Sequence, residues 1–343
     1  MKKSFKVILF FSVVFMFVIS SMLFAEVKEL QGAGATFPYP LYSKMFKIYN
    51  NLYGVKVNYQ AIGSGGGIRQ LIAKTVDFGA SDAPMKESEM KKAGDSVVHI
   101  PMVLGAVVIT YNIQGKPQLK LTPDIIADIF MGKIVNWNNS RIKAVNKDIK
   151  LPNLPITVVH RSDGSGTTFI FSDYLTKVNK EWKNKVGKGK SLHWLTGVGG
   201  KGNPGVTGYV KQLPGSIGYV ELAYAIKNGL PVALIKNKSG NFIKPSVKTV
   251  SYAANINIPS HARVSLTNTD APKGYPISSF TWLLLYKNQH YGKHTKDTMK
   301  AIKKVVKWML CDGQKFAEPL LYAPLPSKAV KVAKDNLNSV YYK

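Results

Sequence analysis

The chain has one cysteine, Cys311, in 343 residues. An intramolecular disulfide and a metal site built on a cysteine cluster are therefore excluded. Arginine is scarce too, standing only at 69, 141, 161 and 263. Little of the side chain that reads base edges bidentately is present, so the formal charge of +28 is weak support for nucleic-acid recognition. Acidic residues are few, 19 against 47 basic ones. The lysines spread along the whole chain, with runs at 183–190 and 300–307 on expected solvent faces of helices, and read as a solvated surface. No nucleic-acid partner is expected. Beyond residue 25 the longest apolar runs, such as 103–109 and 282–286, have only the length of strands, which excludes further spanning helices. Fixed-period repeats, low-complexity blocks and a Pro/Ser-rich linker are also missing, so a chain of two beads on a tether is not expected.

What remains is the profile of a folded globular protein, 45% hydrophobic and 11% aromatic, with enough length for about two domains. Residues 1–25 read as a secretory signal peptide. Lys2, Lys3 and Lys6 precede an apolar run at 7–24, interrupted by Ser12, Ser20 and Ser21, and Ala25 offers a small residue for cleavage. Removing that segment takes three lysines away and leaves 44 − 19 = +25. The mature chain is expected to be soluble and exported.

Helix-period and strand-period segments alternate, which predicts an α/β protein with mixed, mainly parallel sheets flanked by helices. Pro38 and Pro40 open a helix with Leu41, Met45, Ile48 and Leu52 on its apolar face. Val55, Val57 and Tyr59 alternate as a strand, and Ile68, Leu71 and Ile72 resume helical spacing. Thr122–Pro123 is a helix start and Gly132 its stop. Residues 156–159 read as a buried strand. Ile170, Tyr174 and Val178 mark the next helix, and Ile302, Val305, Val306 and Met309 a later one. Strands passing between two lobes would leave a ligand cleft between them.

Three segments share one design: a strand end, a loop of small and hydroxyl residues, then a helix start. They are GAGATF at 32–37, GSGGG at 63–67 and DGSGTT at 163–168. Glycines let backbone approach a ligand closely, and a helix N-terminus presents free N–H groups with partial positive charge. Together these bind anions. Arg161, directly after a strand, offers a planar fork suited to a tetrahedral oxyanion; alone it could equally be a surface arginine paired with Asp163. Asp82 also follows a strand, where an aspartate commonly caps a helix or turn.

Enzyme signatures fail. Gly189-Lys190-Ser191 has Asn184 where a phosphate-binding loop needs glycine. Gly200 to Gly205 fits a dinucleotide pattern formally, but Pro204 and the lack of an expected strand before it predict a turn. Residues 79–83 approach a nucleophile elbow but end in Ala83. Gly292 disfavours a helix carrying His290 and His294, and no His/Asp/Glu cluster has metal-ligand spacing.

The segments GAGATFP at 32–38, NYQAIGS at 58–64, VDFGASDAP at 76–84, RSDGSGT at 161–167, LTGVGGKGN at 195–203 and LPGSIGYVE at 213–221 resemble the periplasmic phosphate-binding proteins of bacterial high-affinity phosphate ABC importers. The likeness is close from about 31 to 224, weak to about 270, and thin around 276–285 and 322–326. It implies a two-lobed periplasmic-binding-protein fold of type II-like form, with 26–109 and 278–343 as one lobe and 110–277 as the other. It further implies a hinged clamp that binds inorganic phosphate, hands it to inner-membrane permease subunits, works in the periplasm as a monomer, and needs no cofactor, metal or catalytic residue. The phosphate contacts carried over are Thr36, Phe37 (through its N–H), Ser64, Asp82, Arg161, Ser165, Gly166 and Thr167, with Asp163 bracing Arg161. Two positions depart from the family pattern: Gly65 stands where serine is usual and His160 where arginine often is.

Asp82 beside an anion is chemically sensible only if the anion carries its own proton. Phosphate near neutrality offers an O–H to Asp82, whereas sulfate offers none and meets bare repulsion. The competing readings are a binder of sulfate, molybdate or arsenate, a secreted phosphate-ester hydrolase using Ser81 or Thr36, and a lysine-rich surface adhesin.

Overall fold

The computed structural model describes residues 27–94 and 96–343; the expected signal peptide lies outside them. Strands in chain order are β1 Glu29–Gly34, β2 Lys56–Gln60, β3 Phe78–Ser81, β4 Val97–Tyr111, β5 Lys120–Leu121, β6 Thr157–Arg161, β7 Val198–Gly200, β8 Ser216–Glu221, β9 Leu234–Lys236, β10 Phe242–Ile243, β11 Leu266–Thr267 and β12 Ile277–Tyr286. Among the described residues the main sheet runs β2-β1-β3-β12-β4-β8-β6-β7, with β11 beside β12, and a small sheet runs β10-β9-β5. The main sheet is mixed. Its outer pairs β1–β2, β1–β3, β6–β7 and β6–β8 are parallel, and its middle pairs β3–β12, β12–β4 and β4–β8 are antiparallel.

β4 joins the two halves of that sheet. Val97 to Ala106 pairs with β12, and Val107 to Tyr111 pairs with β8. Almost every β4 residue is buried, the pattern of a strand covered on both faces. Pro101 lacks an N–H for the ladder, so it sits at an irregularity where the β12 register shifts between Thr281 and Trp282. The fold is thus α/β and two-lobed, with helices packed on a sheet that one long strand threads.

Most expected elements form where periodicity put them. The helix Tyr39–Tyr53 buries Leu41, Tyr42, Met45, Phe46 and Tyr49, so its inner face is more aromatic than expected, and Leu52 is 60% exposed. Thr122 caps the helix Pro123–Phe130 through its side chain. The segment Gly200 to Gly205 is not the expected turn: β7 ends at Gly200 and the helix Gly202–Gln212 follows. Pro204 is tolerated because a first-turn N–H has no intrahelical partner to lose. Lys190 also departs from the solvated reading of its cluster. It is only 9% exposed and its ammonium meets Glu89 at 2.6 and 2.7 Å.

Candidate functional site

The three small-residue loops meet. Gly65 N–H donates to Gly164 O at 2.7 Å, and Gly63 N–H to Gly34 O at 2.8 Å. Gly63 has φ +83°, which glycine adopts freely, and a Cβ there would strike the Asp163 carboxylate. From this turn the helix Ser64–Ile72 starts, facing the start of the helix Gly166–Val178. A Cβ on Gly166 would lie 2.6 Å from Asp82 Oδ2 and close to Ser64 Oγ. The first-turn N–H groups of Gly166 and Thr167 have no intrahelical acceptor, so a positive helix end aims at Ser64 and Asp82.

The hydroxyls around this point share one feature, read from their hydrogen-bond counts. Thr36 Oγ1 accepts from Asn203 N–H at 3.1 Å and from Asn203 Nδ2 at 2.9 Å. Thr167 Oγ1 accepts from Asn203 Nδ2 at 3.1 Å and from Arg161 Nη1 at 3.2 Å. A hydroxyl accepts two hydrogen bonds and donates one. With both acceptor positions filled, Thr36 and Thr167 have only a proton to offer. Ser165 Oγ accepts from Thr168 N–H at 3.0 Å as a helix cap, which likewise leaves its O–H to donate. Thr36, Ser165 and Thr167 are buried, where an unused donor is costly; Ser64, also buried, turns its O–H toward Asp82 Oδ2 at 3.4 Å.

Arg161 is 4% exposed. Its Nε meets Asp163 Oδ1 at 2.8 Å and its Nη2 meets Asp163 Oδ2 at 2.6 Å. This bidentate pair fixes the guanidinium plane. Three of its five N–H groups are committed to Asp163 and Thr167, which leaves two for a ligand. Burial alone would raise the Asp163 carboxyl, but Arg161 and the Gly202 N–H at 2.9 Å outweigh it and hold that carboxyl below its ordinary range. Asp163 therefore stays ionised and balances Arg161.

Asp82 caps nothing. It is 1% exposed; its Oδ1 accepts from Thr281 Oγ1 at 2.8 Å, and its N–H donates to Ser64 Oγ at 3.1 Å. Burial raises its pKa to about 7, against the opposing influences of Thr281, Arg161 and Ser64. Near neutrality it both accepts and donates a proton readily. Asp82 also borders a cleft of about 190 Å³ lined by Phe169, Asp173, Lys188, Arg263 and Trp282.

All nine residues singled out from sequence fall in this one region. Sequence reasoning missed Asn203, which is fully buried, spends both amide protons on Thr36 and Thr167, and accepts from Glu221 N–H at 2.9 Å. Its signal was the Gly200 to Gly205 pattern, dismissed there as a turn. Thr281 was missed because nothing local marks a strand threonine as a carboxylate partner. Neither residue suggested as a nucleophile has a base. Ser81 Oγ donates to Ala83 O at 2.5 Å, and Thr36 Oγ1 faces only donors. Among the described residues no group of three or more His, Cys, Asp or Glu could hold a metal.

Residues 25–313 match the PBP superfamily domain. The chain is similar to the phosphate-binding protein PstS of Haemophilus influenzae, 44% identical over 92% of this chain and 94% of that protein. It is similar also to the phosphate-binding protein PstS of Xylella fastidiosa, 46% identical over 88% and 83%. Among solved structures it resembles a high-affinity periplasmic phosphate-binding protein, PfluDING, bound with phosphate. The TM-score there is 0.70, with 20% identity over 90% of this chain and 93% of that one.

Proposed function

The chain belongs to the PBP superfamily and, within it, to the PstS phosphate-binding proteins, and from that premise we propose that it binds inorganic phosphate for an ABC importer through the site just described. The observation that carries the reading is the convergence of acceptor-filled hydroxyls on one point. Thr36 and Thr167 have only protons left to present, Ser165 keeps its O–H to donate while its oxygen caps a helix, and a ligand suited to them must be rich in acceptors. Phosphate is such a ligand.

In this reading the oxygens of phosphate take the hydroxyls of Thr36, Ser64, Ser165 and Thr167, the N–H groups of Phe37, Gly166 and Thr167, and the two uncommitted protons of Arg161. Asp163 holds Arg161 from behind. Asp82 takes the proton that phosphate still carries near neutrality, and fully ionised sulfate meets repulsion at the same place. The role is binding, not catalysis. The lobes comprise 26–109 with 278–343, and 110–277; phosphate touches both only when they close, so it favours the closed form. A permease in the inner membrane then receives a periplasmic, monomeric carrier exported by its first 25 residues.

Calorimetric titration of extensively dialysed protein with phosphate and with sulfate tests the reading. Saturable heat with phosphate and none with sulfate is the expected result. Equal binding of both removes Asp82 from its role, and binding of neither overturns the reading.

A further inference from the structure

At the end of β8, beside the site, lies Glu221, fully buried with 0% exposure. Its Oε2 accepts from Ala223 N–H at 2.8 Å and lies 3.0 Å from Tyr322 Oη. The same Tyr322 Oη is 2.7 Å from Phe37 O. Two short contacts therefore need two protons, and a tyrosine hydroxyl supplies one. The Phe37 carbonyl has none to give. If Tyr322 donates to Phe37 O, the shorter contact, then the proton between Tyr322 and Glu221 belongs to the carboxyl. An ionised Glu221 would instead take Tyr322's proton and leave the oxygen of Phe37 facing a lone pair in a dry interior. The other carboxyl oxygen, Oε1, has no hydrogen-bond partner, a small cost for a neutral carbonyl oxygen and a large one for a buried charge.

The geometry points to Glu221 as a neutral glutamic acid that positions the Thr36–Phe37 turn for phosphate through the relay Glu221 to Tyr322 to Phe37 O. The relay anchors the carbonyl of Phe37, one residue along from the Thr36–Phe37 peptide that presents its N–H to the ligand. Tyr224 Oη donates to Thr36 O at 2.7 Å, and Thr36 O shares its peptide with the Phe37 N–H. Drawing electron density toward that oxygen sharpens the N–H as a donor. Tyr322 fixes the next carbonyl along. A neutral acid gives this support without adding a negative charge near Asp82, where an anion must enter. The groups that face Glu221 are Tyr322, Tyr224, Lys227 and Asp82. Burial raises its carboxyl well above the ordinary range, in the same sense as the proton count.

The inference rests on the phosphate reading, so its test has an arm that needs no phosphate. Infrared difference spectra of the full chain, wild type against Glu221→Gln at neutral pH, are expected to lose the carbonyl band of a protonated acid. A free glutamate is ionised there, with a pKa of about 4.3. Loss of carboxylate bands instead overturns the inference. Should Glu221→Gln not fold, Tyr322→Phe serves: the acid band moves to higher frequency as its acceptor goes, and an unmoved band overturns the relay. In the phosphate arm Glu221→Gln, whose amide N–H can replace the acid proton, keeps affinity within about twofold at neutral pH. Tyr322→Phe loses about tenfold. At alkaline pH, where the acid finally ionises, the wild type weakens more steeply than Glu221→Gln. A loss of tenfold or more in Glu221→Gln at neutral pH overturns the positioning role. Absence of phosphate binding in the wild type defeats the functional reading, while the infrared arm still judges the proton on Glu221.

Discussion

Gly65 donates its N–H to Gly164 O at 2.7 Å, and that bond ties the start of one small-residue loop to another some hundred residues along the chain. A Cβ on Gly65 would lie 3.1 Å from Gly164 Cα, whereas one on Gly166 would lie 2.6 and 2.7 Å from Asp82 Oδ2 and Cβ. The first contact needs a shift of a few tenths of an ångström; the second has no room. Gly65→Ala should therefore weaken phosphate by less than about tenfold, and Gly166→Ala by more than about a hundredfold. Calorimetry measures both, and scattering should show Gly166→Ala failing to compact on adding phosphate.

Asp82 gives a pH signature in phosphate-free buffer. The folded chain binds its proton up to about pH 7, where the unfolded chain releases it near 3.8. Between those values the folded state carries the extra proton, so stability falls as pH rises through the window. The loss from this group is on the order of 4 kcal/mol. Asp82→Asn should flatten that part of the denaturation profile. The same variant should also bind sulfate appreciably, narrowing the phosphate preference seen in parallel titrations.

Asn203 is the second test of the hydroxyl argument. Asn203→Ala frees one acceptor position on each of Thr36 and Thr167, lets both hydroxyls turn, and strips Glu221 N–H of its partner. Phosphate affinity should fall at least about tenfold and stability by about 1–3 kcal/mol. Asn203→Asp should be worse for binding, since a carboxylate cannot donate to either threonine. If Asn203→Ala binds as wild type does, the donor count is not what selects the ligand.

Lys190 and Glu89 offer a stability test at the edge of the site, where Lys190 O accepts from Ser165 N–H at 2.8 Å. The pair is mostly buried, with side-chain exposures of 10% and 22%, and burial lowers the ammonium pKa despite Glu89. Lys190→Met strands a carboxylate and should cost about 1–3 kcal/mol in chemical denaturation. Glu89→Gln added to it should recover part of that loss.

Local patterns in the sequence already carried the loops and their chemistry. Glycines before helix starts at 63–67 and 163–168, a strand-end Arg161 beside Asp163, and Thr122–Pro123 as a helix start are features of neighbouring residues, and the backbone follows neighbours closely. What only the tertiary structure decided is which atoms those loops offer. Thr36 is a pure donor because Asn203, 167 residues away, fills its lone pairs. Asp82 has its raised pKa because burial outweighs Thr281 on β12. Glu221 keeps its proton because burial disfavours its charge and Tyr322, 101 residues along the chain, gives its own proton to Phe37 O. A hydroxyl or carboxyl has no fixed role in sequence; its partners assign one, and those partners arrive through the pairing of β4 with β8 and β12.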